Sequence, residues 1–181
     1  ELIIRKGRVA LTGNNNWSVY VSSEGATKGA YLTNNAFQAS SSFWNDTTPT
    51  ASVFSVGTGN VVNQSGKTYI TYLFATVAGV SKVGSYTGNG SSQTINCGFS
   101  AGARFVMTKR TNSTGNWNVF DTARGIVAGN DPRLELNTTD AEDTGHDYLD
   151  PNNSGFIVNY VADDDDDSNV SGDTYIFLAI A

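Results

Sequence analysis

Short apolar stretches, several of them alternating with polar residues, are separated along this chain by clusters of Gly, Asn, Ser and Thr. Residues 2–5, 17–21, 68–75, 104–108, 117–120, 156–161 and 174–180 are rich in β-branched and aromatic side chains, and each predicts a strand. Turn clusters divide them: Thr12-Gly13-Asn14-Asn15, the run 87–92, Asn112-Ser113-Thr114-Gly115 and Ser171-Gly172-Asp173. Asn89-Gly90 is a tight-turn pair, because both residues tolerate positive φ. The stretches 68–75 and 174–181 are apolar on both faces, so each predicts a central strand. Helix signals are sparse, with one helical turn predicted over 139–144.

The same phrases occur twice and in the same order. Leu2-Ile3-Ile4-Arg5-Lys6 answers to Phe105-Val106-Met107-Thr108-Lys109, and Asn16-Trp17-Ser18-Val19-Tyr20 to Asn116-Trp117-Asn118-Val119-Phe120. Val53-Phe54-Ser55-Val56 answers to Gly155-Phe156-Ile157-Val158, and Gly66-Lys67-Thr68-Tyr69-Ile70 to Gly172-Asp173-Thr174-Tyr175-Ile176. We read a tandem repeat, with a first copy over 1–77 and a second over 78–181. The first copy lacks a match to 82–103. Two explanations stand side by side: the chain is a piece of a longer protein, or a neighbouring chain supplies the missing strand. The joint between the copies is short and apolar at Val77 and Val80, which predicts rigid coupling. The fold class expected is all-β: an antiparallel β-sandwich, jelly-roll or concanavalin-like.

Composition narrows the function. Only 15% of the 181 residues are charged, against about 25% in an ordinary domain. The surface is polar but uncharged, which suits an extracellular or particle-surface protein. A net charge of −6 argues against binding nucleic acid through phosphates. The lone cysteine, Cys97, allows no internal disulfide. No apolar run approaches the ~20 residues of a membrane span.

Candidate chemistry is thin. Asp163, Asp165 and Asp167 alternate in a run of five acids, a pattern that can ligate calcium. Ser168 and Thr174 stand where a calcium-binding helix–loop–helix hand has Gly and Glu, and a solvated loop explains the run equally. Asp140, Glu142, Asp143, Asp147 and Asp150 surround His146, the only histidine. A Ser–His–Asp relay would also need a nucleophile on a sharp turn beside that histidine, and a solvated loop histidine is the simpler reading. Asp121 and Arg124, in Asp121-Thr122-Ala123-Arg124-Gly125, suit either a loop-bracing ion pair or ligand recognition. The repeat positions of Trp17 and Trp117 predict core packing. Trp44, without a matching tryptophan, is the candidate for an exposed sugar-stacking contact.

The second copy carries Val83-Gly84-Ser85-Tyr86-Thr87-Gly88-Asn89-Gly90, Gly98-Phe99, Phe105-Val106-Met107-Thr108-Lys109-Arg110, Asp121-Thr122-Ala123-Arg124-Gly125 and the closing run 172–179. In these phrases it resembles a module repeated in virion proteins of tailed bacteriophages, especially marine and cyanobacterial phages. That module occurs in tail-fibre-like and capsid-surface proteins, often beside concanavalin-like (laminin-G-like) domains. The resemblance covers the second copy almost end to end and the first in outline. The first copy has Val21-Ser22-Ser23-Glu24-Gly25 in place of the Asp121 to Gly125 phrase, so nothing at Asp121 or Arg124 carries over to it.

The resemblance implies a non-enzymatic structural protein on the virion surface (tail fibre, appendage or capsid decoration) or otherwise extracellular. The implied partners are other copies of itself, other virion proteins and a host-surface glycan, with neither nucleic acid nor membrane. No cofactor is expected, calcium being the one candidate. The competing readings are a carbohydrate-binding, lectin-like adhesin and a self-assembling extracellular filament subunit, with a hydrolase further behind.

Overall fold

The computed structural model describes residues 1–33, 35–162 and 168–181. The protein is all-β, with three antiparallel sheets in two compact units, Glu1–Phe74 and Ala75–Ala181.

Unit 1 holds β1 (Leu2–Gly7), β2 (Ser18–Val21), β3 (Lys28–Tyr31), β4 (Gln38–Ala39), the helical turns α1 (Ser41–Trp44) and α2 (Asn60–Asn63), and β5 (Tyr69–Phe74). Its sheet runs β4-β3-β2-β1-β5. One face is apolar because Ile3 and Tyr20, directly paired across β1 and β2, point the same way. Phe43, Trp44, Val61 and Val62 from the two helical turns cover that face. The Ser40 hydroxyl caps α1 by accepting the Ser42 N–H, and Asn45 ends it in the left-handed region at φ 55°. Gly29 lets the Phe43 ring lie against β3, since a Cβ there would sit 2.5 Å from it.

Unit 2 holds β6 (Ser81–Thr87), β7 (Gln93–Asn96), β8 (Phe105–Arg110), β9 (Trp117–Asp121), β10 (Leu134–Glu135), β11 (Leu149–Asn152), β12 (Gly155–Val158) and β13 (Thr174–Ile180). One sheet runs β10-β9-β8-β13-β6 and the other β11-β12-β7. Val106, Phe120, Phe177 and Ala179 of the first pack with Ile95, Leu149, Phe156 and Val158 of the second, an arrangement consistent with a β-sandwich. The turn at Asn89-Gly90 (Gly90 φ 70°) carries the chain from β6 in one sheet to β7 in the other.

Four strands follow the same plan in both units. In unit 1 the order is β3-β2-β1-β5, and in unit 2 it is β10-β9-β8-β13. Ile3 stands opposite Tyr20 and Leu73, as Val106 stands opposite Phe120 and Ala179. Ser18 faces Tyr31, as Asn118 faces Glu135. Outside the ladders, the Leu32 N–H donates to Trp17 O and the Leu136 N–H to Trp117 O. The Tyr69 hydroxyl accepts the Gln64 N–H at 2.7 Å, and the Tyr175 hydroxyl accepts the Val170 N–H at 3.1 Å.

Two expectations need correction, on 68–75 and on 139–144, and one pair of repeated phrases differs in structure. The stretch 68–75 is not a central strand: among the described residues β5 pairs with β1 alone at the edge of its sheet, whereas β13 lies between β8 and β6. Val53–Val56 forms no strand, although its sequence partner, Gly155–Val158, is β12. Residues 139–144 form no helix; the helical turns are α1 and α2, where Phe43-Trp44 and Val61-Val62 supply apolar anchors.

Candidate functional site

A dense cluster of interacting titratable side chains lies in unit 2, on the loops joining β9, β10 and β11. Arg133 and Asp143 exchange backbone hydrogen bonds. This brings the buried Arg133 guanidinium within 3.5 Å of the Asp143 carboxylate and 3.4 Å of Glu135. The guanidinium also lies 4.3 Å from the centre of the buried Tyr148 ring, an electrostatically favourable seat for a cation. The Tyr148 hydroxyl donates to Asp143 Oδ2 at 2.7 Å, and His146 Nδ1 lies 3.0 Å from the same oxygen. Burial works to raise the Asp143 pKa, but the Gly145 N–H, the Tyr148 hydroxyl and His146 hold its carboxyl down at about 2.

Beside this group, Asp131 is fully buried. Its Oδ1 accepts the Val127 N–H, and its Oδ2 accepts the N–H groups of Tyr148 and Leu149 at 3.1 and 2.8 Å. Burial pushes its pKa up to about 6 against those three N–H donors, and the charge of Asp147 adds to the rise. That value lies where a general acid operates. The carboxylate nevertheless holds the backbone of three residues and has no exposed surface. The relay geometry fails similarly: His146 Nδ1 meets Asp143 and, at 3.2 Å, the Tyr148 hydroxyl, so both contacts use one ring nitrogen. The Cys97 thiol is buried, which pushes its pKa up to about 11 and leaves it a poor nucleophile. The cluster is built to hold loops.

Asp121 and Arg124 come together as a loop brace. Asp121 Oδ1 accepts the N–H groups of Ala123 and Arg124, while Oδ2 pairs with the Arg124 guanidinium at 2.8 Å. Arg124 also reaches Glu142 at 3.4 Å. Trp44 corrects an expectation: it is 1% exposed, packed edge-on against Tyr20, and offers no face to a sugar. The apolar anchor of α1 required it inside. Trp117 is buried in unit 2, whereas Trp17 is partly buried beside Tyr72 and Lys6. The expected calcium ligands Asp163, Asp165 and Asp167 lie outside the described residues. Among the described residues, no group of three or more His, Cys, Asp or Glu side chains is placed to hold a metal ion. No helix among them is long and apolar enough to cross a membrane.

Sequence reasoning missed Asn169. It is fully buried, and its side chain accepts from the Asn89 N–H and the Gln93 amide and donates to Asn89 Oδ1, Ser91 O and Val158 O. It ties the β6–β7 turn to β12. Nothing in the Ser-Asn-Val context signalled this.

Over residues 1–181 the chain matches the family described as Domain of unknown function (DUF7483), and it belongs to that family. No curated protein and no solved structure matches it.

Proposed function

We propose that this chain is a non-enzymatic structural protein of a tailed-bacteriophage particle, a tail-fibre, appendage or capsid-surface module. On this reading it is a tandem repeat of one sandwich-type unit, jelly-roll or concanavalin-like, whose first copy lacks the strands matching β6 and β7. The observation that carries the reading is the shared plan of the two units: one strand order and one register serve two different covers. Duplicated frameworks of this kind multiply binding and packing surfaces more readily than they build one active site.

The chemistry of the loops supports the same reading. Asp131, Asp143 and Asp121 each accept backbone N–H groups with at least one carboxylate oxygen. The partners on this reading are further copies, other virion proteins and a host-surface glycan, at the virion surface. The lectin-like adhesin reading loses its best residue with the burial of Trp44.

Mass spectrometry of purified phage particles tests the proposal. The chain should be recovered in fixed stoichiometry with known coat or tail proteins. Recovery only from the soluble fraction of infected cells, or turnover of a polysaccharide by the purified chain, would overturn it.

A further inference from the structure

Among the described residues, the outer edge of β5 stands apart from the other sheet edges. Five outer strands carry a feature that discourages pairing with another chain. β4 and β10 are two residues long; β6 carries Lys82; β11 carries Pro151; β7 is four residues long with Gln93, Thr94 and Asn96. β5 is six residues, Tyr-Ile-Thr-Tyr-Leu-Phe, without charge, proline or glycine. Its Ile70, Tyr72 and Leu73 are 39%, 47% and 63% exposed. The matching β13 residues Ile176, Leu178 and Ala179 are buried, with β6 paired along their outer edge.

The hydrogen-bond phase of that edge follows from its neighbours. Thr68 O accepts the Arg8 N–H, so Thr68 faces β1. Alternation then turns Ile70, Tyr72 and Phe74 toward β1, and the N–H and C=O groups of Tyr69, Thr71 and Leu73 toward the free edge. Unit 2 keeps the same phase: Thr174 O accepts from Thr111, while Asp173 O accepts the Gly88 N–H on the β6 side. On that side, β13 takes an antiparallel strand.

We propose that the β5 edge is a self-association site, occupied by β5 of a second copy of this chain in antiparallel pairing about a two-fold axis. The occupant is favoured because β5 is uncharged and meets no like-charge repulsion from itself. An axis at Thr71 sets Thr71 against Thr71 of the second copy and Tyr69 against Leu73 of the second copy. Each of these residues then satisfies its outward N–H and C=O. Ile70 meets Tyr72 of the second copy on the opposite face, covering the exposed apolar side chains. The contact is isologous and closes as a dimer. This inference goes beyond the virion reading and does not depend on it.

Sedimentation of the full chain across a concentration series tests the proposal. A monomer–dimer equilibrium is expected. Leu73→Lys places a charge at a site already exposed in the monomer, and it should weaken the dimer at least about tenfold without changing the circular dichroism. Thr71→Cys should give a disulfide-linked dimer under oxidation, because Cα atoms of such a pair lie about 5.5 Å apart. Should the variants misfold, hydrogen exchange of the wild-type chain decides the matter: the Tyr69, Thr71 and Leu73 amides should gain protection as concentration rises. A monomer at every concentration, a dimer indifferent to Leu73→Lys, or exchange at those amides independent of concentration would overturn the proposal.

Discussion

Units 1 and 2 begin from nearly the same four strands and bury them differently. In unit 2 the face carrying Val106 and Phe120 is covered by a second sheet, and β6 closes the β13 edge. In unit 1 the matching face, with Ile3 and Tyr20, is covered by two single turns of helix, and among the described residues no strand pairs with the outer edge of β5. Side chains follow the cover. Phe177 of unit 2, which lies over Gly84 of β6, corresponds in register to Thr71, where no β6 stands. Register is therefore a property of the strands, and burial is a property of what the loops bring to them.

The largest effects are expected at the covers themselves. Trp44 in α1 and Phe156 in β12 each cap the shared face of their own unit. Replacing either by alanine should cost about 3 to 5 kcal/mol by denaturant unfolding. A Trp44→Ala cost below about 1 kcal/mol would mean that α1 merely rests on the sheet, and the equivalence of the two covers would fail.

A second difference is electrostatic. Unit 2 buries Asp131, while none of Glu1, Glu24 and Asp46 in unit 1 is buried. Asp131→Ala strands three backbone N–H groups and should cost roughly 3 kcal/mol. The pH dependence has a definite sign. The folded pKa of Asp131, at about 6, lies above its ordinary value of 3.8, so the folded state binds the extra proton. Its contribution is greatest below about pH 4, declines as pH rises to about 6, and is flat above. Asp143, held down at about 2, acts oppositely: its contribution is present above about pH 4 and is lost as pH falls through 2. Thermal melts of the wild type and Asp131→Ala from pH 3 to 8 should differ in slope between pH 4 and 6. Parallel curves would refute the assignment.

Strand periodicity and aromatic content made most of the framework legible, and the repeated phrases fall on β1, β2 and β5 and on β8, β9 and β13. The edge position of β5 was not legible, because 68–75 and 174–181 carry the same two-faced apolar pattern and differ only in what lies beside them. Trp44 was misread because one turn of helix is too short to show a period. Its capping residue, Ser40, stands in an Ala-Ser-Ser-Ser run that reads equally as loop. Asp131 lies in Gly-Asn-Asp-Pro, a context that reads as a surface turn. Only the fold shows that its carboxylate replaces backbone partners for Val127, Tyr148 and Leu149. The Asp121–Arg124 brace was legible, because the two residues bracket one short turn.

That turn gives the smallest expected effect. Both units leave β2 or β9 through the same backbone hydrogen bond, Gly25 N–H to Val21 O and Gly125 N–H to Asp121 O. Unit 1 makes it with Val21 in the aspartate's place, so the turn does not require an acid at that position. Its nearby ion pair, Lys28 with Glu24 at 2.9 Å, links different positions. Arg124 in unit 2 is partly exposed, and such pairs are screened by water and salt. Arg124→Ala should therefore cost less than about 1 kcal/mol, and the difference from wild type should shrink further in molar salt. Asp121→Ala should cost more than Arg124→Ala, because it also removes the acceptor for the Ala123 and Arg124 N–H groups. If the order of the two is reversed in matched urea titrations, Arg124 holds the loop through Glu142 and Val119 rather than through Asp121, and the turn in unit 2 is braced by a contact that unit 1 has no means to make.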